Sequence, residues 1–143
     1  MLVSQILKDK GDMVFTAAPS ETVSAIAGEL YARRVGAVVV VGDDGSVVGI
    51  VSERDIVRVV AEHGANCLGS PIDTCMTRDV IFATPGETVD SLLSRMTDRR
   101  IRHLPVVRDG RLAGIVSIGD LVKHKISEVE AEADGLKQYI AAG

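Results

Sequence analysis

The stretch Gly114-Ile115-Val116-Ser117-Ile118-Gly119-Asp120 has a near twin upstream, Gly49-Ile50-Val51-Ser52-Glu53-Arg54-Asp55, and this pair constrains the fold more than any other feature of the chain. Both copies run glycine, two β-branched apolar residues, serine, two variable positions and aspartate, followed by Ile56-Val57 or Leu121-Val122. Two β-branched residues after glycine suit the end of a buried strand, and serine followed three residues later by an acid marks a helix start. Each copy is therefore expected to be a strand running straight into a helix N-terminus. Two uses of that geometry stand open. Ser-x-x-Asp closes a capping box, the serine oxygen taking the N3 amide while the acid reaches back. The free backbone N–H groups and the helix dipole at the same place also favour an anion.

The motif sits inside a longer repeat. Pro19/Pro85, Glu21/Glu87, Thr22/Thr88 and Arg34/Arg100 lie 66 residues apart, whereas Gly45/Gly110, Gly49/Gly114, Ser52/Ser117 and Asp55/Asp120 lie 65 apart. One deletion in a hairpin turn accounts for the change. In the first copy, residues 1–7 are a helical lead-in with Val3, Ile6 and Leu7 on one side, residues 8–12 a polar loop, and Met13-Val14-Phe15 a short strand. Thr22 or Ser20 caps an amphipathic helix whose stripe is Val23, Ile26, Ala27, Leu30 and Tyr31. Residues 36–41 and 47–51 form a hairpin about Asp43-Asp44-Gly45, and Ser52 starts a helix through Ile56, Val57 and Val60. Residues 63–71 are a linker by composition. The second copy repeats the order: a strand at Val80-Ile81-Phe82, a stripe of Val89, Leu92, Leu93 and Met96, then a hairpin of residues 104–107 and 112–116 about Asp109-Gly110.

The chain is thus a tandem duplication of a β-α-β-β-α unit, repeat one at residues 1–66 and repeat two at residues 67–143. Each small sheet has one apolar face, so two units must pack together to bury it. The expected architecture is a mixed α/β (α+β) fold, the two repeats packed with pseudo-twofold symmetry, plus a long C-terminal helix. After Asp120 the copies diverge: Val122, Ile126, Val129, Ala133, Leu136 and Ile140 make a heptad-like seam interrupted by Gly135, which packs either on the chain's own body or across a subunit contact. Glu128, Glu130, Glu132 and Asp134 are expected on a solvated face.

Composition narrows the function classes. Aromatics are 3% with no Trp, and net charge is −4 with no Lys/Arg block, which argues against stacking platforms and phosphate-backbone footprints, hence against nucleic acid. The longest uninterrupted aliphatic run, residues 37–41, is too short to span a bilayer, and the N-terminus carries no secretory pattern. Cys67 and Cys75 form no CxxC and have no clustered His, so they are expected to be thiols of a cytoplasmic protein with no metal site. No base–nucleophile pair or catalytic Cys–His arrangement is evident, so no catalytic residue is assigned and an enzyme is not expected.

The repeat resembles the cystathionine β-synthase (CBS) domain, here as a tandem pair over essentially the whole chain. The residues that carry the likeness are Pro-x-x-Thr-Val before each first helix, Arg100-Ile101-Arg102-His103-Leu104-Pro105-Val106-Val107, and Gly-Ile-Val-Ser-x-x-Asp twice. The resemblance implies a stand-alone regulatory module whose clefts take adenosyl ligands: AMP, ADP, ATP, S-adenosylmethionine or NAD, with AMP leading. It also implies a homodimer and an unidentified protein target. In such a cleft the aspartate of the motif holds the ribose hydroxyls, and the serine with nearby cations meets phosphate. Carried over, the main site is Ser117 and Asp120 with Arg102, His103, Leu104 and Pro105, faced by Lys10, Gly11, Asp12 and Met13. A second, weaker site is Ser52 and Asp55, faced by Thr77, Arg78, Asp79 and Val80, with Gly36 and Ala37 where repeat two has Arg102 and His103. A structural homodimerising module with vestigial clefts is the alternative reading.

Overall fold

The computed structural model of the chain describes residues 1–11 and 14–142. Two compact units divide it: one is Met13–Ile81, the other Met1–Asp12 together with Phe82–Gly143. This is a different division from the two sequence repeats, because the lead-in of each repeat belongs to the unit that holds the other repeat's sheet.

In the unit Met13–Ile81, β1 (Thr16–Ala17) pairs parallel with β2 (Ala37–Val41), which pairs antiparallel with β3 (Val47–Ser52). The parallel step is made by α2 (Val23–Arg33), and β3 runs directly into α3 (Glu53–His63). Thr22 caps α2, its Oγ1 accepting the Ala25 amide at 3.1 Å. Arg34 ends the helix in the left-handed region at φ 54°. Val23, Ile26 and Leu30 of α2, Val38 and Val40 of β2, Val51 of β3 and Val59 of α3 form one core with Ile72, Cys75 and Met76 from the segment after the linker. That linker is not featureless: Gly64–Gly69 is a 3₁₀ turn, and a second one, Ile72–Thr74, follows it.

The second unit repeats the plan. Helix α1 (Val3–Lys10) buries Val3, Ile6 and Leu7. Helix α4 (Val89–Arg99), capped by Thr88, buries Val89, Leu92 and Met96, and Arg100 again stands at φ 54°. Strands β4 (His103–Arg108) and β5 (Arg111–Ser117) form an antiparallel hairpin that leads into α5 (Ile118–Ala142). The mixed α/β character and the long C-terminal helix stand as expected.

Several local expectations are corrected. The first strand is Thr16–Ala17, after rather than at Val14-Phe15 (Met13 lies outside the described residues). Lys8, Asp9 and Lys10 belong to the last turn of α1, not to a loop. The strand expected at Val80-Ile81-Phe82 is reduced to a single parallel bridge between Ala83 and Val106. The reason is chemical. Pro105 occupies the place of Val39, which pairs with Thr16 in the other unit, and proline has no N–H to continue the ladder. Tyr31 is 89% exposed, since eight residues on from Val23 it sits about 80° round the helix, at the margin of the stripe. Val57 and Val60 face outward while Val59 is buried. Gly135 does not interrupt α5.

Each glycine of the Gly-Ile-Val-Ser motif is required by a close approach. A Cβ on Gly49 would stand 2.6 Å from Met76 Sδ and 3.0 Å from the Thr77 carbonyl oxygen; one on Gly114 would stand 2.5 Å from Leu7 Cδ2. The lead-in of the opposite repeat lies against the hairpin at that point in both units.

Candidate functional site

Both helix starts form complete capping boxes. Ser117 Oγ accepts the Asp120 amide at 3.1 Å, and the Ser117 amide donates to Asp120 Oδ2 at 2.9 Å. Ser52 and Asp55 do the same at 3.2 and 2.9 Å. The start of the preceding hairpin lies beside each cap. The Ile118 amide donates to the Arg102 carbonyl at 2.8 Å and the Glu53 amide to the Gly36 carbonyl at 2.9 Å, with His103 opposite Ser117 and Ala37 opposite Ser52 in register. Arg102, His103, Ser117 and Asp120 therefore converge in one unit, and Gly36, Ala37, Ser52 and Asp55 in the other.

Lys10 completes the first group. Its Nζ donates to Asp120 Oδ2 at 2.6 Å and to the Ile115 carbonyl at 2.9 Å. Burial alone pushes the Asp120 carboxyl up; the Lys10 hydrogen bond, the Ser117 amide and the Lys10 charge overcome this and hold it below its ordinary value of 3.8. Arg102 is exposed and His103 half-buried, whereas Leu104 and Pro105 are buried, Leu104 fully, so their side chains belong to the core. Gly11 follows α1 at φ 94°. Asp12 and Met13 lie outside the described residues.

The second group is more closed. Asp55 is the one buried charged residue among the described residues, 6% exposed. Besides its cap it accepts Arg58 Nη1 at 3.1 Å and Thr77 Oγ1 at 3.4 Å. Thr77 is held there by paired backbone bonds with Ile50, 2.9 Å each way. Arg78 turns to the Asp73 carbonyl at 3.0 Å, Asp79 is exposed and Val80 half-buried. Arg58 was not anticipated, although its place three residues after Asp55 on a helix was the available signal.

The two sites differ because the two lead-ins differ in length. The Val3 amide donates to the Glu87 carbonyl and Val89 to Met1; Ile72 donates to Glu21 and Val23 to Ser70 in the same pattern. Leu7 meets Gly114 as Met76 meets Gly49. Val3/Ile72 and Leu7/Met76 are 69 apart, against 66 for Pro19/Pro85, so the first lead-in carries three more residues. They extend α1 and bring Lys10 to Asp120. The sequence signal of this equivalence is the 69-residue match of Val3, Ile6 and Leu7 with Ile72, Cys75 and Met76.

Among the described residues no group of His, Cys, Asp or Glu is arranged to hold a metal ion, and no helix is long and apolar enough to cross a membrane. Paired β-α-β-β-α repeats, each delivering a serine–aspartate cap beside the start of its hairpin, define a tandem-repeat module. The chain belongs to the CBS domain family, whose model matches twice, at residues 7–62 and 72–127. It is 33% identical over 149 residues to the mitochondrial CBS domain-containing protein CBSX3 of Arabidopsis thaliana, covering 99% of this chain and 72% of that one. A crystal structure of a CBS-domain containing protein from Agrobacterium tumefaciens superposes with a TM-score of 0.86 at 44% identity, covering 87% and 99% of the two chains. A CBS domain protein from Pyrobaculum aerophilum complexed with AMP matches with a TM-score of 0.74 at 30% identity, covering 84% and 89%. The CBS domain pair of protein MJ0100, in complex with 5′-methylthioadenosine and S-adenosyl-L-methionine, matches with a TM-score of 0.78 at 29% identity, covering 90% and 98%.

Proposed function

We propose that this chain is a non-catalytic sensor of an adenosyl ligand, AMP first among them, acting as a cytoplasmic homodimer that reports to a protein target. The observation that carries this reading is the Lys10–Asp120 pair beside Arg102 and His103 at the N-terminus of α5. A carboxylate there suits a vicinal diol, and three nearby groups able to carry positive charge suit phosphate. The relatives solved with AMP and with S-adenosyl-L-methionine support the ligand class, and two free, buried thiols suit a reducing compartment. The Asp55 site is the lesser of the two, since its acid is buried and held by Ser52, Arg58 and Thr77. Those same satisfied contacts favour a second reading for that half, in which Ser52 and Asp55 serve only as a cap.

Titration calorimetry with AMP on Asp120→Ala and Asp55→Ala tests the assignment. Both variants lose a capping acid, at ~0.5–2 kcal/mol of stability each, and Asp55→Ala loses the Arg58 and Thr77 contacts besides. Only Asp120→Ala is expected to lose most of the affinity. Equal losses, or a larger one for Asp55→Ala, would mean the wrong site has been chosen. Absence of any heat or thermal shift with AMP, ADP, ATP, NAD or S-adenosylmethionine would leave the structural module standing.

A further inference from the structure

Helix α5 is 25 residues long, and the side it turns to its own unit is marked by buried Leu121 and half-buried His124, Lys125 and Glu128. A different face carries Val122, Ile126, Val129, Ala133, Leu136 and Ile140, spaced four, three, four, three, four. At 100° per residue that stripe lies about 110° round from the first. It is exposed along its whole length, from 42% at Val122 to 68% at Ile140. We propose that this stripe is the seam of a parallel, in-register, two-stranded coiled coil with a second copy of the chain. The proposal rests on the dimeric reading above and assigns the surface that makes it.

Charge selects both the occupant and the direction. With Ile126, Ala133 and Ile140 at the a positions and Val122, Val129 and Leu136 at d, Lys125 and Glu132 fall at g and Glu130 and Lys137 at e. In a parallel pair each g residue meets the e residue five places on in its partner. Both crossings are then opposite in sign, Lys125 with Glu130 and Glu132 with Lys137, and twofold symmetry makes each occur twice. Lys125 also reaches Asp90 of its own chain at 3.0 Å, and an ammonium with three donors can serve both. An antiparallel pair with Ile126 opposite Val129 would match charges too, but would leave Leu136 and Ile140 beyond the seam. An antiparallel register with Ile126 opposite Leu136 covers all six residues but sets Glu130 against Glu130 and Glu132 against Glu132, so only the parallel register combines full cover with opposite charges. Ile126 and Ile140 at a with Leu136 at d suit two strands, while the shorter Val122 and Val129 at d, Ala133 in the core and Gly135 behind it keep the association reversible.

Sedimentation velocity on the full chain, with the Ile126→Lys and Ala133→Cys variants, tests this. The wild type is expected to be a dimer and Ile126→Lys a folded monomer whose cooperative urea transition no longer depends on protein concentration, because Ile126 is 53% exposed and outside the buried core. Under mild oxidation Ala133→Cys is expected to give a covalent dimer where the wild type gives none, since a parallel seam sets residue 133 against itself. A monomeric wild type overturns this proposal and the dimeric reading together. A dimer that survives Ile126→Lys overturns this proposal alone. Loss of the dimer in Ile126→Lys without cross-linking of Ala133→Cys overturns the parallel register.

Discussion

Replacing Lys10 by methionine isolates the contact on which the candidate site turns. The substitution keeps an unbranched chain, one atom shorter, and removes both the hydrogen bond to Asp120 and the one to the Ile115 carbonyl. The Lys10 and Asp120 side chains are 35% and 25% exposed. Solvent therefore screens the pair, and its contribution near neutral pH is ~1 kcal/mol rather than the several expected of a buried pair. The pH dependence follows from the direction of the Asp120 shift. A carboxyl whose folded pKa lies below its unfolded value binds its proton less readily when folded. Its stabilisation is complete above the ordinary value of 3.8 and is lost as pH falls through the folded value. Without Lys10, burial is the largest remaining influence on Asp120 and pushes the other way. Urea unfolding of wild type and Lys10→Met at pH 7, 5 and 3 should show a deficit of ~1 kcal/mol at pH 7 and 5 that shrinks at pH 3. A deficit constant with pH would refute the argument, because it would trace the loss to packing.

The glycine positions give an ordered pair of effects. Gly49→Ala should destabilise more than Gly114→Ala, by ~1–3 kcal/mol, because the Thr77 backbone carbonyl cannot swing aside as the Leu7 methyl can; equal urea midpoints would contradict this. Arg95→Met should cost about 1–2 kcal/mol by chemical denaturation, since Arg95 makes a two-pronged contact with Glu87 and donates to the Phe82 carbonyl at 3.1 Å. Arg95 is also the main influence holding the Glu87 carboxyl below its usual value of 4.5, so this deficit too should fade in acid. One unchanged at pH 3 would contradict the assignment.

The repeat, the caps and the hairpins were legible because each rests on local chemistry: Thr22 and Thr88 as caps, Ser–Asp pairs at fixed spacing, apolar residues at helical period. What escaped depends on partners distant in sequence. Nothing near residues 80–82 warns that Pro105 will withhold a ladder bond. Nothing near Gly49 announces Met76. Tyr31 fits the period of its helix only at the margin of the stripe, and how far the core extends there is not written in the local sequence; it stays 89% exposed. Lys10 is expected from the sequence to face Asp120, but the contact between their side chains depends on three added residues that lengthen α1.

The exchange of lead-ins has a consequence for how many repeats such a chain can hold. Residues 70–77 close the hairpin of repeat one, and residues 1–10 close that of repeat two. Each copy thus gives away the segment its own sheet lacks and receives its twin's. Such reciprocity balances only for an even number. A chain cut to one repeat would keep its acid-capped helix start and lose the wall that faces it, and a chain of three would leave one hairpin open. Cutting instead at residues 12 and 81 would follow the closure and carry Asp55, Arg58 and Thr77 away intact. Gene duplication and folding therefore count this molecule in different units, and an even number is a condition of this pairwise exchange.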